Sequence, residues 1–172
     1  MIIDIDRLTE EGFEVEKEFE FLSEDLIEED TVILKPLLAN ISIKKIGDEI
    51  YLNGRITTLL SMICSRCLSP YEFQVDSCFD HVYLPEELEV SGDQLEPDEM
   101  DRMYYASRQI DLRDIILEQL NFTFPSRPLC SEECQGICPI CGHIVGEGSC
   151  KCATSEADPR LEKFKIFLRD KR

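Results

Sequence analysis

Nine cysteines occur in this 172-residue chain, and eight of them fall in close pairs. The pairs are Cys64/Cys67, Cys130/Cys134, Cys138/Cys141 and Cys150/Cys152. Whatever the chain folds into must place these sulfurs where they have a partner. Zinc takes four ligands at tetrahedral corners, and a close pair puts two thiolates on one ion. Cys138-Pro-Ile-Cys141-Gly142 has the form of a zinc knuckle, with the glycine allowing a tight turn beneath the metal. One such pair is weak evidence; four in one chain predict two Zn2+ centres.

The alternative for paired cysteines is a set of disulfides, and compartment decides between them. Met1–Asp6 carries acids where a signal peptide carries bases, and the most apolar stretch, Ile56–Cys64, is too short to span a bilayer. The expectation is a cytoplasmic protein without a membrane segment, whose cysteines are ligands or free thiols rather than disulfides. Cys138, Cys141, Cys150 and Cys152 are local and can close one site over a short glycine-containing loop. Cys64, Cys67, Cys130 and Cys134 are then left for a second site joining distant segments, which stabilises a fold by restricting the unfolded chain. The competing arrangement pairs 64/67 with 138/141 and 130/134 with 150/152; locality favours the first. An iron–sulfur cluster also takes four thiolates. Cys78, on a strand-like run, reads as a small buried apolar residue. His81 reads as an ordinary strand residue and His143 as a loop residue.

The rest of the chain is patterned for an antiparallel sheet. Phe13–Phe21 alternates apolar and polar residues at the period of a half-buried strand, with its acids on one face. Glu24–Asp30 is an acidic connector. Two β-like runs, Leu38–Ile46 and Glu49–Leu60, flank Gly47-Asp48, a hairpin turn. A third run, Tyr71–Leu84, follows Cys64-Ser-Arg-Cys67, which places a cysteine knuckle at a second hairpin tip. Pro85–Asp101 is acidic and reads as a surface loop. A helix is expected near 110–122, capped by Asp111 with Asp114 at its third position. A last helix should start at Asp158-Pro159 and place Leu161, Phe164 and Leu168 on one face. The expected fold is therefore α+β: an antiparallel β-rich domain with one or two packed helices, residues 1–129, and a zinc-ribbon-like cysteine module with the C-terminal helix, residues 130–172.

Charge bounds the partners. There are 36 acids against 18 bases, a formal −18, and eight thiolates against two dications would add a further −4. Such a chain has no broad electrostatic grip on bare nucleic acid and suits basic protein partners. A local basic patch of Arg127, Lys151, Arg160, Lys163, Lys165 and Arg169 would be the exception. No catalytic motif is found: there is no phosphate-binding glycine loop, no H-E-x-x-H and no G-x-S-x-G. A zinc held by four thiolates has no open position for water, so the centres are expected to be structural and the protein not an enzyme. A redox role would place C-x2-C at the start of a helix in a βαβ setting, whereas here the pairs lie in hairpins and loops.

The run Cys64-Ser-Arg-Cys67-Leu, the strand to Cys78, Ile110-Asp-Leu-Arg-Asp, then Pro128-Leu-Cys130-x3-Cys134-x-Gly136-x-Cys138-Pro-x-Cys141-Gly and Asp158-Pro159-Arg160-Leu161 resembles the YceD-type family of large ribosomal RNA subunit accumulation proteins. The resemblance implies a role in the accumulation or processing of 23S ribosomal RNA. It also implies a site built from positions 64, 67, 130 and 134, with an optional second site downstream. It brings no catalytic residue. The expected partner is a basic ribosomal protein or a large-subunit precursor; direct binding of 23S ribosomal RNA, and a thiol-redox or zinc-delivery role, are the competing expectations.

Overall fold

A computed structural model describes residues 1–9, 11–28, 30–86, 102–105, 108–145, 150 and 152. Its centre is formed by the segments with the clearest two-residue alternation. Strand β4 (Leu37–Ile46) buries Leu37, Ala39, Ile41 and Ile43 and turns Leu38, Asn40, Ser42 and Lys44 outward. Strand β5 (Glu49–Ile63) buries Ile50, Leu52, Ile56, Thr58, Leu60 and Met62. The two are joined through Gly47-Asp48, where Gly47 takes a left-handed φ of 62°. Strand β6 (Pro70–Pro85) pairs with β5 from Ile50↔Tyr83 to Ile63↔Pro70. This long hairpin runs about 45 Å at the usual strand rise, and residues 64–69 form its tip.

Further strands complete the sheet. These are β2 (Phe13–Phe19), β3 (Val32–Ile33) and β7 (Arg102–Tyr105). The six-stranded order is β2-β4-β5-β6-β7, with β3 pairing β5 near its far end. All pairs are antiparallel except β6–β7, which is parallel. A separate two-stranded sheet joins β1 (Ile2–Asp4) to β8 (Gln109–Asp111), with Ile3 opposite Ile110. β8 takes up the first residues of the segment expected to be helical, so helix α1 spans Leu112–Phe122. Asp111 caps it by accepting from the Arg113 N–H at 2.9 Å, and Asp114 lies in the first turn. Leu112, Ile115, Ile116 and Leu120 are buried in one hydrophobic cluster with the inner face of the sheet. The Gln119 amide donates to Ser77 Oγ at 2.9 Å, fastening the helix to β6.

The architecture is the expected α+β one, with short strands added. β1, β3, β7 and β8 lie outside the strand runs expected from the sequence, and β2 ends at Phe19 rather than Phe21. Ser23–Asp25, running into the acidic connector, forms a short 3-10 turn, closed by the Leu22 N–H donating to Asp25 at 3.0 Å. Cys78 is a correction: it is exposed, because β6 alternates and Val75, Phe79 and Tyr83 hold the inner positions. His81 packs between Phe79 and Tyr83 on that inner side, at ring distances of 5.4 and 6.2 Å. Most of the 85–101 segment and the helix expected from Asp158 lie outside the described residues. No described helix is long and apolar enough to cross a membrane.

Candidate metal centres

The β5–β6 tip is folded by its own backbone. Cys64 N–H donates to the Ser69 carbonyl and Leu68 N–H to the Cys64 carbonyl, both at 2.9 Å, with Leu68 held at a φ of 58°. Cys64 and Cys67 are both buried there. The segment after α1 is drawn to this tip, where Ser65 N–H donates to the Pro128 carbonyl at 2.8 Å. The Arg66 guanidinium donates to the carbonyls of Cys134 at 2.7 Å and Glu132 at 3.3 Å. Cys64 Sγ then lies 3.8 Å from Cys134 Sγ, and Cys67 Sγ lies 3.7 Å from Cys130 Sγ.

A second quartet follows immediately. Cys138 N–H donates to the His143 carbonyl at 2.8 Å and Gly142 N–H to the Cys138 carbonyl at 2.9 Å, with Gly142 at a φ of 73°. Ile137 bridges Ile144, and Val145 N–H donates to the Gly136 carbonyl, so the knuckle is the end of a small hairpin. Cys141 Sγ lies 3.7 Å from Cys150 Sγ, and Cys152 completes the group. In each quartet the four sulfurs are all within 4.8 Å of one another.

These distances have a chemical meaning. Four thiolates about 2.3 Å from a single zinc ion form a tetrahedron with edges of about 3.8 Å. A disulfide would bring two sulfurs to about 2.05 Å. Both quartets therefore have the size of a four-thiolate shell around one ion and can hold metal. The thiol acidities show how strongly the charges interact. The Cys67 backbone N–H, against the opposing effect of burial, brings Cys64 down to about 6. The Cys141 backbone N–H does the same for Cys138, to about 6. Cys130 is pushed up to about 12 by its contact with Cys134, and Cys152 to about 12 by Cys141. A crowded quartet thus ionises readily at one sulfur and resists at another, and a dication is what allows all four to be thiolates.

The expected site residues divide accordingly. The structure gathers Cys64, Cys67, Cys130 and Cys134, and separately Cys138, Cys141, Cys150 and Cys152. Cys78 belongs to neither group, nor does His143, whose ring faces the Cys141 carbonyl at 3.2 Å. Arg127 is exposed; Lys151, Arg160, Lys163, Lys165 and Arg169 lie outside the described residues. The first quartet draws on both sides of the boundary expected at 129/130. Two residues have a larger part than their sequence context suggested. Arg66 ties down the carbonyls of Glu132 and Cys134. Gly136, at a φ of 78°, sits so close to the tip that a Cβ there would be 2.9 Å from the Arg66 carbonyl oxygen. Its position between two cysteine pairs is the signal that could have marked a close approach.

A sheet-and-helix body carrying two adjacent four-cysteine centres defines a class: a β-rich protein whose distant segments are gathered by metal-competent thiol clusters. Comparison with known proteins gives the family. The chain matches the large ribosomal RNA subunit accumulation protein YceD family over residues 52–167, and it belongs to that family. The matched segment contains all eight paired cysteines. Among curated proteins it is similar to uncharacterized proteins of Mycobacterium tuberculosis and Mycobacterium bovis, each 24% identical over 60% of this chain and 48% of the relative. One from Mycobacterium leprae is 21% identical over 62% of this chain and 48% of its own length. The chain thus matches these relatives over about half of their length. No solved structure matches it.

Proposed function

We propose that this chain is a cytoplasmic, non-enzymatic factor that supports accumulation of 23S ribosomal RNA, with two zinc ions holding its contact surface in shape. Cys64, Cys67, Cys130 and Cys134 bind one ion, and Cys138, Cys141, Cys150 and Cys152 the other. The observation that carries the reading is the closure of both quartets at single-ion dimensions, in a chain whose family implies a role in large ribosomal RNA subunit accumulation. A multi-iron cluster would hold its thiolates farther apart, around a larger inorganic core. Four thiolates fill the zinc shell and leave no position for a reacting water, so the centres act as crosslinks. The acidic surface, formal charge −18 overall, suits a basic ribosomal protein or a precursor particle that displays one.

The test has a chemical arm and a cellular arm. Freshly purified protein should contain two zinc ions per chain by elemental analysis. Depletion from the cell should lower 23S relative to 16S ribosomal RNA, and wild-type protein, but not Cys67→Ser, should restore it. Pull-downs at low and moderate salt should recover a ribosomal protein or large-subunit precursor. Iron in place of zinc would overturn the cofactor; unchanged 23S levels would overturn the function.

A further inference from the structure

The six-stranded sheet ends at β2, whose one strand partner among the described residues is β4. Its other edge, Phe13–Phe19, pairs with no further strand among the described residues, which leaves a row of backbone N–H and C=O groups without a strand partner there. The two faces of this edge strand differ. Glu14, Glu16 and Glu18 stand opposite Ser42, Asn40 and Leu38 on the outer face of the sheet, and all three are exposed. Phe13, Val15, Lys17 and Phe19 point to the inner face, yet only Phe19 is buried; Phe13 is 40% exposed and Val15 half-buried. The helix cluster therefore does not cover the first part of this strand.

An open edge of this length is a template for another strand unless something deters it. A second copy of this chain is deterred: antiparallel pairing of β2 with itself would align glutamates with glutamates, and like charges directly opposite are destabilising. Lys17, an inward-facing charge with its ammonium 5.6 Å over the Phe19 ring, deters a uniformly apolar strand. The same features favour one kind of occupant. Basic side chains would meet Glu14, Glu16 and Glu18, and intervening apolar side chains would extend over Phe13 and Val15.

We propose that β2 accepts an extended segment of a partner protein, alternating Lys or Arg with apolar residues, as an added strand of the sheet. Backbone pairing supplies affinity, and the two faces of β2 supply selection. The identity of the natural partner rests on the function proposed above; the added strand itself does not, and purified protein with synthetic peptides tests it.

Two peptides of the length of β2 serve as probes. One alternates Lys and Val; the other has a central Val replaced by Pro, which keeps the charge but removes a backbone donor and disrupts pairing. The alternating peptide should bind about tenfold or more tighter. It should also slow hydrogen exchange at β2 amides selectively. Joint replacement Glu14→Lys, Glu16→Lys and Glu18→Lys, all at exposed positions, should abolish the preference. Equal binding of the two peptides to the unaltered protein, or exchange protection elsewhere than β2, overturns the proposal. If peptides fail in this way while depletion still lowers 23S ribosomal RNA, the strand site falls and the function stands. Selective peptide binding without a 23S effect supports the site and overturns the function alone.

Discussion

Two glycines with similar backbone angles show what a single residue contributes to the metal region. Gly136 and Gly142 both have left-handed φ values, 78° and 73°, but a Cβ on Gly136 would press on the Arg66 carbonyl while one on Gly142 would meet nothing within 4 Å among the described residues. Gly142→Ala should therefore cost about 1 kcal/mol, the backbone penalty alone. Gly136→Ala adds a clash with backbone that is pinned on both sides, by Ser65 to Pro128 and by Arg66 to Cys134; it should cost about 2–4 kcal/mol. Urea unfolding of the two variants compares them directly, and equal losses would mean that the close approach does not matter. A second residue-scale expectation concerns pH. Arg55 donates to both carboxylate oxygens of Asp76 at 2.7 and 2.6 Å, and this holds the Asp76 carboxyl below its ordinary value. A depressed folded pKa stabilises above the unfolded value and is lost as pH falls through the folded one. The unfolding midpoint of Asp76→Asn should thus lie slightly below wild type at neutral pH, and the gap should close below about pH 4. Not every residue was legible from type alone. Cys78 was read by its chemistry as a core residue, whereas the two-residue period of β6, counted from Val75 or Phe79, sets it on the outer face.

At the scale of elements, legibility follows length. The alternation in β4, β5 and β6 runs long enough to define both faces, and Gly47 marks the turn between the first two. β1 and β8, each of three residues, have no period to read; they exist because Ile3 and Ile110 meet in the core across 107 positions of chain. α1 shows the same effect, losing its expected first residues to β8. The element that matters most for the metal region is the β5–β6 hairpin, because its tip carries two cysteines to a segment about sixty residues on. A crosslink over so long a loop restricts the unfolded chain strongly. Cys67→Ser and Cys134→Ser should each cost about 2–4 kcal/mol, the order expected for cutting a long-loop link. Cys152→Ser opens only the local quartet and should leave the melting of the sheet nearly unchanged. Thermal unfolding followed by far-UV circular dichroism separates them; equal shifts would show that the first quartet does not hold the sheet together.

Over the whole molecule, the two quartets differ in a way that would make the loss of bound metal ordered. The first is anchored on the hairpin, with Cys64 and Cys67 both buried and Arg66 holding the opposing carbonyls. The second is local, and only Cys138 among its sulfurs is buried. In either quartet an ion would compete with protons for the sulfurs. Cys130 and Cys152, pushed up to about 12 without metal, are protonated at neutral pH unless an ion is bound. Metal uptake therefore releases protons, and affinity falls as pH falls. On acidification in the presence of a zinc-sensitive dye, release should come in two steps, one equivalent each. The more exposed Cys138–Cys152 quartet should empty first, with the sheet's dichroism intact, and the hairpin quartet later, with loss of sheet structure. Cys152→Ser should remove the early step and keep the late one. A single concerted release of both ions would instead mean that the contact of Gly136 with the hairpin tip couples the centres so tightly that neither survives without the other.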